Sequence, residues 1–247
     1  MPTKQKINWL LILQAWAMLW VVIGHAGPSP ELSDYPPYAL FIWEFAYSFH
    51  MPLFITISGF LFYLTRLNNE KWNYVDTMKE KLVRFGIPFV FFTIIGIIIK
   101  SVFSSSVTRA TTISFGEFLN AILYPYNGPM RNFWFLATIL WFFMLFPVWK
   151  VILRNKWLSI ITFVCLCFVQ IKHPQTDFLA IRSVGEQAIF FYSGLLCAKG
   201  YIKRPDSLDN RIFAPCVFVT GVFIYVVGRL YNIPLLAPWG GYFFLYR

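Results

Sequence analysis

Long apolar runs, separated by short segments that carry most of the charge, are the main pattern of this chain. A helix needs about 20 mostly apolar residues to cross the hydrocarbon core of a bilayer. Seven runs are predicted to be spans: Trp9–Ala26, Ala39–Leu64, Ile87–Phe103, Phe133–Trp149, Trp157–Ile171, Ser183–Ala198 and Ile212–Leu230. The pattern therefore predicts an all-α fold, a polytopic membrane helix bundle that forms one domain over residues 1–247.

The segments between and after these runs add three expectations. Pro238–Tyr246 resembles the start of an eighth span but is too short to cross, so we expect the chain to be truncated relative to a longer protein. Tyr74–Phe85 is predicted to be a helix lying in the membrane interface. Phe115–Tyr124 is predicted to be a short surface or re-entrant helix.

Composition supports the membrane assignment and gives an orientation. Hydrophobic residues make up 58% of the chain and charged residues 13%, about half the share that is usual in soluble domains. The net charge of +10 raises the question of nucleic acid. The basic side chains lie in short loops between apolar runs, however, so we attribute them to topology and expect no nucleic-acid partner. They concentrate on the side of the N-terminus, which is therefore predicted to be cytoplasmic. The four cysteines have no zinc-ligand spacing, and no metal is expected.

The second run contains the first candidate site. Besides serine and threonine, its strongly polar side chains are Glu44 and His50, and an ionisable group at bilayer depth marks a functional site by default. Pro52 clashes with the carbonyl of Ser48, so we expect the helix to kink or open near His50. Ser58-Gly59 offers a small surface that another helix can approach closely. The alternative is a packed helix whose histidine bonds a neighbour.

Two histidines are predicted to share a cavity. His25 ends the first span towards the outer face, and His50 lies about 18 Å along a straight helix from the same side. Imidazole titrates near neutral pH, so either histidine suits a general base. Glu44 and Glu186 are the other candidate bases in the apolar spans. For His25 alone, the alternative is a solvated helix end.

A basic pair, Lys81 and Arg84, forms a second constellation at the cytoplasmic mouth of the third span. Cations at i and i+3 lie on one helix face, where they suit binding of phosphates or pyrophosphate. The alternative is a pair of topology anchors that bind lipid head groups. The chain has no glycine-rich phosphate loop, nucleophile elbow or metal-ligand cluster.

These motifs, taken in order, resemble those of a known family. They are Val22-Ile23-Gly24-His25, Phe49-His50-Met51-Pro52-Leu53-Phe54, Ser58-Gly59-Phe60, Lys81-Leu82-Val83-Arg84 with Pro88, and Phe133-Trp134-Phe135-Leu136. The family is membrane-bound acyltransferase family 3, the O-acetyltransferases of bacterial surface polysaccharides. The His-Met-Pro-Leu-Phe form is similar to the fucose 4-O-acetylase and intercellular-adhesin modification branch.

The resemblance implies a fold and a reaction. It implies about ten membrane helices, acyl-CoA as donor substrate with no bound cofactor, and a sugar hydroxyl as acceptor. The essential histidine of the family falls on His25, and the basic pair associated with acyl-CoA falls on Lys81 and Arg84. The chain departs from the family at Gln14, where Arg or Lys is usual, and at Leu11, where an acidic residue is frequent.

The resulting hypothesis is a membrane O-acyltransferase of the bacterial inner membrane. It would move an acetyl or other short acyl group from acyl-CoA to a hydroxyl of a cell-surface polysaccharide or glycolipid, and acetyl-CoA is the expected donor. His25 and His50 are the predicted catalytic residues, and the expected pocket residues are Gln14, Glu44, Ser58 and Trp134. A polysaccharide exporter or flippase component and an inactive fragment of the family stay open as alternatives, as does the oligomeric state.

Overall fold

The structure is a computed structural model that describes residues 8–26, 36–69, 73–107, 110–126 and 131–203. Within these ranges the regular secondary structure is helical, as predicted. The α-helices are α1 (Asn8–Ala26), α2 (Pro37–Phe62), α3 (Tyr74–Lys81), α4 (Ile87–Val102), α5 (Phe115–Leu123), α6 (Trp134–Met144), α7 (Phe146–Arg154), α8 (Lys156–Ile171) and α9 (Ile181–Lys203).

The chain divides into two compact units. The first consists of residues 1–65 and 190–247, and it contains α1, α2 and the C-terminal half of α9. The second consists of residues 66–189, and it contains α3 to α8 and the start of α9. That residues 1–247 form one domain stays a prediction.

In the first unit, α1 and α2 pack antiparallel. At one end the ring centroids of Trp9 and Phe60 are 5.4 Å apart, and at the other end those of His25 and Tyr47 are 5.9 Å apart. A proline at the first position of α2 has its φ already fixed near the helical value, which favours a helix start there. One cluster of buried residues in this unit consists of Leu10, Ile57, Phe60 and Ala198.

Two glycines bring α2 and the C-terminal half of α9 into backbone contact. A Cβ added to Gly59 would overlap the carbonyl oxygen of Phe191, and one added to Gly194 would overlap that of Thr56. Small residues allow membrane helices to approach this closely, and van der Waals packing then stabilises the pair. The prediction of a close helix approach at Ser58-Gly59 is confirmed.

Pro52 does not break α2, which runs through it without interruption. The predicted opening of the helix is therefore wrong, whereas the kink, the other form of that prediction, stays a prediction. Proline removes one N–H, so only the carbonyl of Ser48 loses its α-helical partner, and a transmembrane helix tolerates such a loss. One turn after Pro52, the hydroxyl of Thr56 donates to the carbonyl of Pro52 at 2.8 Å.

In the second unit, α3 continues into α4 through a π-helical turn, Leu82–Gly86. The N–H of Ile87 bonds the carbonyl of Leu82, five residues earlier. Tyr74–Phe85 is thus helical as predicted, but it is not a helix separate from the third span. Since Pro88 has no N–H to offer one turn back, the turn before it widens instead of ending the helix.

The predicted span Phe133–Trp149 is not one straight helix. α6 and α7 are bent by 53° where they meet at Leu145. Pro147 lies in the first turn of α7, and it has no N–H with which to continue α6. Trp149 stabilises the bend, because its indole N–H donates to the carbonyl of Phe142 at 2.9 Å.

In the described part of the chain, three helical runs are long and apolar enough to cross a membrane, and the bent α6–α7 pair would make a fourth. The three are Trp9–Ala26, Phe45–Leu67 and Tyr74–Val102. α8 is apolar but has 16 residues, and the 23-residue α9 carries Arg182, Glu186 and Gln187. Membrane crossing by these two helices stays a prediction. The predicted spans Ile212–Leu230 and Pro238–Tyr246 lie outside the described residues.

Candidate functional site

His25 lies in the last turn of α1 with its side chain exposed. Its Nδ1 is 2.8 Å from the carbonyl oxygen of Val21, one turn earlier. A carbonyl oxygen only accepts hydrogen bonds, so this geometry assigns the hydrogen to Nδ1. In the neutral imidazole, Nε2 then holds the lone pair, and it is the atom that takes up a proton.

His50 has the same arrangement but is completely buried, with 0% of its surface exposed. Its Nδ1 donates to the carbonyl oxygen of Ala46 at 2.5 Å. Its Nε2 is also buried and has no hydrogen-bond partner among the described residues. A buried polar atom without a partner is costly, so an unpaired acceptor at this position is typical of a site that receives a ligand.

The structure brings the two histidines close together, and that they share a cavity stays a prediction. Their ring centroids are 6.4 Å apart, with the ring planes inclined by 72°. Both rings contact Tyr47, which His25 meets nearly stacked at 5.9 Å and His50 meets edge-on at 4.9 Å. In the neutral form each histidine presents Nε2 as an acceptor, so the pair suits binding and deprotonation of a hydroxyl.

The two histidines lie level with a middle part of α2 and not with its first residue. Tyr47 comes ten residues after Pro37, the first residue of α2, which corresponds to about 15 Å of helix. The first turns of α2 therefore extend beyond the level of His25. The two histidines therefore lie at similar levels, with His50 well inside α2 and His25 in the last turn of α1.

Lys81 is buried in the second unit, where it already has partners. Its Nζ is 3.6 Å from a carboxylate oxygen of Glu80 and 4.8 Å from the ring centroid of Phe143. Glu80 also forms an ion pair with Arg66. These contacts stabilise the cation inside the protein, as expected for an ammonium that combines an ion pair with an aromatic face.

Arg84, by contrast, is exposed, with its guanidinium 5.6 Å from the ring centroid of Phe85. Lys81 and Arg84 both lie near the ring of Phe85, but one side chain is buried and the other exposed, and their joint use of one helix face for phosphate binding stays a prediction. The π-helical turn that begins at Leu82 changes the angular spacing that the i, i+3 rule assumes. Of the two, Arg84 is the cation that a phosphate in solution reaches.

Of the four expected pocket residues, Gln14 and Ser58 lie in the same unit as the histidines but at a distance from them along the helices. Gln14 shares α1 with His25 but lies three turns away, about 16 Å along the axis. Ser58 is half-buried two turns beyond His50. Trp134 is buried in the second unit, next to the ring of Phe135. The side chain of Glu44 lies outside the described residues.

Glu186, a candidate base in the sequence, is engaged in an ion-pair cluster of the second unit. One of its carboxylate oxygens lies 3.0 Å from Nε of Arg182 and 3.1 Å from Nε2 of His173. Arg182 also lies 5.7 Å from the ring centroid of Tyr126. The spacing of Arg182 and Glu186, i and i+4, was the sequence signal for this pair. Within the described ranges, no group of three His, Cys, Asp or Glu side chains is placed to hold a metal ion.

Comparison with known families supplies a finding that the geometry alone does not. A family model described as an acyltransferase domain matches residues 7–246, a range that contains every helix described above. No curated protein and no solved structure matches the chain.

Proposed function

This chain belongs to the acyltransferase 3 family of membrane acyltransferases, and we propose that it acylates a carbohydrate hydroxyl. The proposed donor is acyl-CoA, with acetyl-CoA first among the candidates. The proposed acceptor is a hydroxyl of a cell-surface polysaccharide or glycolipid, and the proposed location is the bacterial inner membrane with the N-terminus in the cytoplasm. Within the family, the motif around His50 favours the fucose 4-O-acetylase and adhesin-modification branch.

The observation that carries this proposal is the pair of Nε2 acceptors on His25 and His50. A sugar hydroxyl is a poor nucleophile at neutral pH, so acyl transfer needs a base that takes its proton as the new bond forms. His25 is exposed and meets that need at the end of α1. His50, whose buried Nε2 has no partner in the described structure, is suited to accept a hydrogen bond from the same acceptor.

The proposed reaction balances with these groups alone. Nε2 of His25 takes the hydroxyl proton while the hydroxyl oxygen attacks the thioester carbonyl carbon. The tetrahedral intermediate collapses, the carbon–sulfur bond breaks, and the imidazolium of His25 returns the proton to the leaving thiolate. The products are the O-acyl ester and free CoA, and the histidine is regenerated.

For the donor, the proposal places the main phosphate contact on Arg84 at the cytoplasmic side, and the acyl thioester is delivered across the bilayer to His25. It is exposed, and a guanidinium offers a bidentate fork to phosphate oxygens. Lys81 has a supporting role in this proposal, because Glu80 and Phe143 already engage its ammonium group. Its charge still contributes to the positive potential of the segment.

Mass spectrometry of the cell-surface glycans tests the proposal. It compares cells that carry the gene, cells from which it is deleted, and deleted cells given the parent or the His25→Gln variant. We expect acetyl groups to disappear on deletion while the glycan remains, and to return with the parent but not with His25→Gln. Loss of the whole glycan from the surface would instead support an exporter, and unchanged acetylation would contradict the proposal.

A further inference from the structure

We infer that Tyr47 is a positioning residue for His25, and that Gly24 is the feature of α1 that allows it. The inference rests on the proposed function, because a role in positioning a base presupposes that His25 acts as one. Tyr47 would hold the imidazole so that Nδ1 stays on the Val21 carbonyl and Nε2 stays open to the acceptor hydroxyl.

The contacts of the Tyr47 ring support this role. The ring stacks on His25 at 5.9 Å with the planes 29° apart, and it meets the edge of His50 at 4.9 Å and 81°. The ring of Trp43, four residues earlier on α2, lies 4.5 Å away and supports Tyr47. Tyr47 is thus the aromatic ring that both histidines share.

Gly24 provides the space for this ring. A Cβ at position 24 would come within 3.2 Å of Cε2 and 3.4 Å of Cδ2 of Tyr47. The tyrosine ring therefore packs directly on the α1 backbone, one residue before the histidine that it contacts. A side chain at position 24 would press on this ring, which would have to shift to make room for it.

Positioning matters here because His25 is exposed. An exposed side chain samples several rotamers unless packing restricts it, and each rotamer has its own orientation of Nε2. The hydrogen bond from Nδ1 to Val21 fixes the tautomer only while the ring stays in place. A misplacement of about 1 Å at a reacting group can cost roughly 100-fold in rate.

The first measurement does not depend on activity. Solid-state ¹⁵N spectra of histidine-labelled protein in lipid report which ring nitrogen carries the hydrogen, at a pH where imidazole is neutral. The chain has three histidines, so the His25→Gln spectrum identifies the His25 signals by difference. We expect a single His25 tautomer with Nδ1 protonated in the parent, and a mixture of both tautomers in Tyr47→Leu. Unchanged His25 signals in Tyr47→Leu would overturn the inference.

The second measurement is kinetic. It follows acetyl transfer from labelled acetyl-CoA to the glycan fraction of cells that lack the gene. We expect Tyr47→Leu to lower kcat about 10- to 100-fold with KM for acetyl-CoA changed less than about twofold. Tyr47→Phe, which keeps the ring, should restore most of the activity. A Tyr47→Leu enzyme with the parent kcat would also overturn the inference.

Two glycine variants separate positioning from folding. Gly24→Ala adds a methyl group that presses on the Tyr47 ring from the side of α1. We expect it to lower kcat, as Tyr47→Leu does, and to give a mixture of His25 tautomers. Gly200→Ala is the matched control, because a Cβ there meets nothing within 4 Å, and it should behave like the parent. If Tyr47→Leu does not fold, Gly24→Ala still decides the matter. If the parent transfers no acyl group, the proposed function fails while the ¹⁵N spectra still test the contact between Tyr47 and His25.

Discussion

The imidazole ring of His50 lies edge-on to Tyr47, 4.9 Å from its centroid, while Nε2 of the same imidazole has no partner in the described structure. The two side chains are three positions apart on α2, so one helical turn carries both the buried acceptor and the ring that contacts His25. Substitutions of Tyr47, His50 and the neighbouring His25 should therefore distinguish positioning of the base, binding of the acceptor and proton transfer.

We expect loss of His25 to abolish acyl transfer without affecting insertion. Replacing one general base typically costs about 10² to 10⁴ in rate. His25→Gln retains a hydrogen-bonding group but cannot take up a proton, so it should be as inactive as His25→Ala. The measurement is transfer of labelled acetyl to the glycan fraction, with membrane yield as the folding control. Near-normal transfer by His25→Gln would move the base to His50.

At His50, two substitutions distinguish the roles of the two ring nitrogens. His50→Asn places an amide N–H where Nδ1–H lies, so it keeps the bond to the Ala46 carbonyl and removes Nε2. We expect it to fold like the parent and to lose transfer about tenfold, the scale of one hydrogen bond. His50→Ala removes both groups and should also lower stability. If His50→Asn transfers at the parent rate, the acceptor does not use Nε2.

Donor binding is tested at Arg84, with Lys79 as the matched control. We expect Arg84→Ala to raise KM for acetyl-CoA, and Arg84→Lys to restore it only in part because lysine loses the bidentate geometry. Lys79 is an exposed cation on α3 of the same helical run, so Lys79→Ala removes the same charge from a neighbouring position. If Arg84→Ala and Lys79→Ala raise KM equally, net charge and not Arg84 itself holds the donor. If neither variant changes KM, Arg84 does not bind the donor.

Stability depends on the two glycines between α2 and α9. We expect Gly59→Ala and Gly194→Ala each to lower the free energy of unfolding by about 1–3 kcal/mol, since the added methyl group meets backbone atoms that no rotamer change relieves. Gly200→Ala should show no loss, and even a gain of up to about 1 kcal/mol, because alanine favours a helix. Unfolding titrations in mixed detergent micelles measure all three. A Gly194→Ala protein as stable as the parent would mean that α2 and α9 can move apart without lowering the free energy of unfolding.

Orientation is tested with reagents that do not cross membranes. After the native cysteines are replaced, a cysteine at position 172 should be labelled from outside intact cells and one at position 79 should not. Both expectations follow from the placement of basic residues on the N-terminal side. The reverse labelling pattern would contradict the predicted orientation and place the N-terminus outside the cell.

Hydropathy was sufficient to predict α1 and α2. The run Trp9–Ala26 coincides with α1 to within one residue, because nothing in it competes with helical hydrogen bonds. The bend after Met144 was missed although Pro147 was visible. The apolar pattern continues across that proline, and hydropathy does not register a missing N–H.

The contact between Tyr47 and His25 could not be predicted from the sequence. The chain has 28 phenylalanines and 13 tyrosines, so an aromatic residue near a histidine is expected at many positions. What distinguishes Tyr47 is the register of α1 against α2, which depends on packing along both helices. The different environments of Lys81 and Arg84 were hidden for a similar reason, since the i, i+3 rule assumes an α-helix and the π-helical turn lies next to Lys81.

The backbone contact of α2 with the C-terminal half of α9 has a consequence for motion. Where carbonyl groups lie against glycine, no side chain can change rotamer to let the helices slide, so His50 is carried on an anchored helix. His25 lies in the last turn of α1, and the contacts of this turn with α2 include the rings of Tyr47 and His50. We therefore expect a change in the 6.4 Å spacing of the two imidazoles during turnover to come from α1 more than from α2, and amide order parameters to be lower at Gly24 than at Gly59.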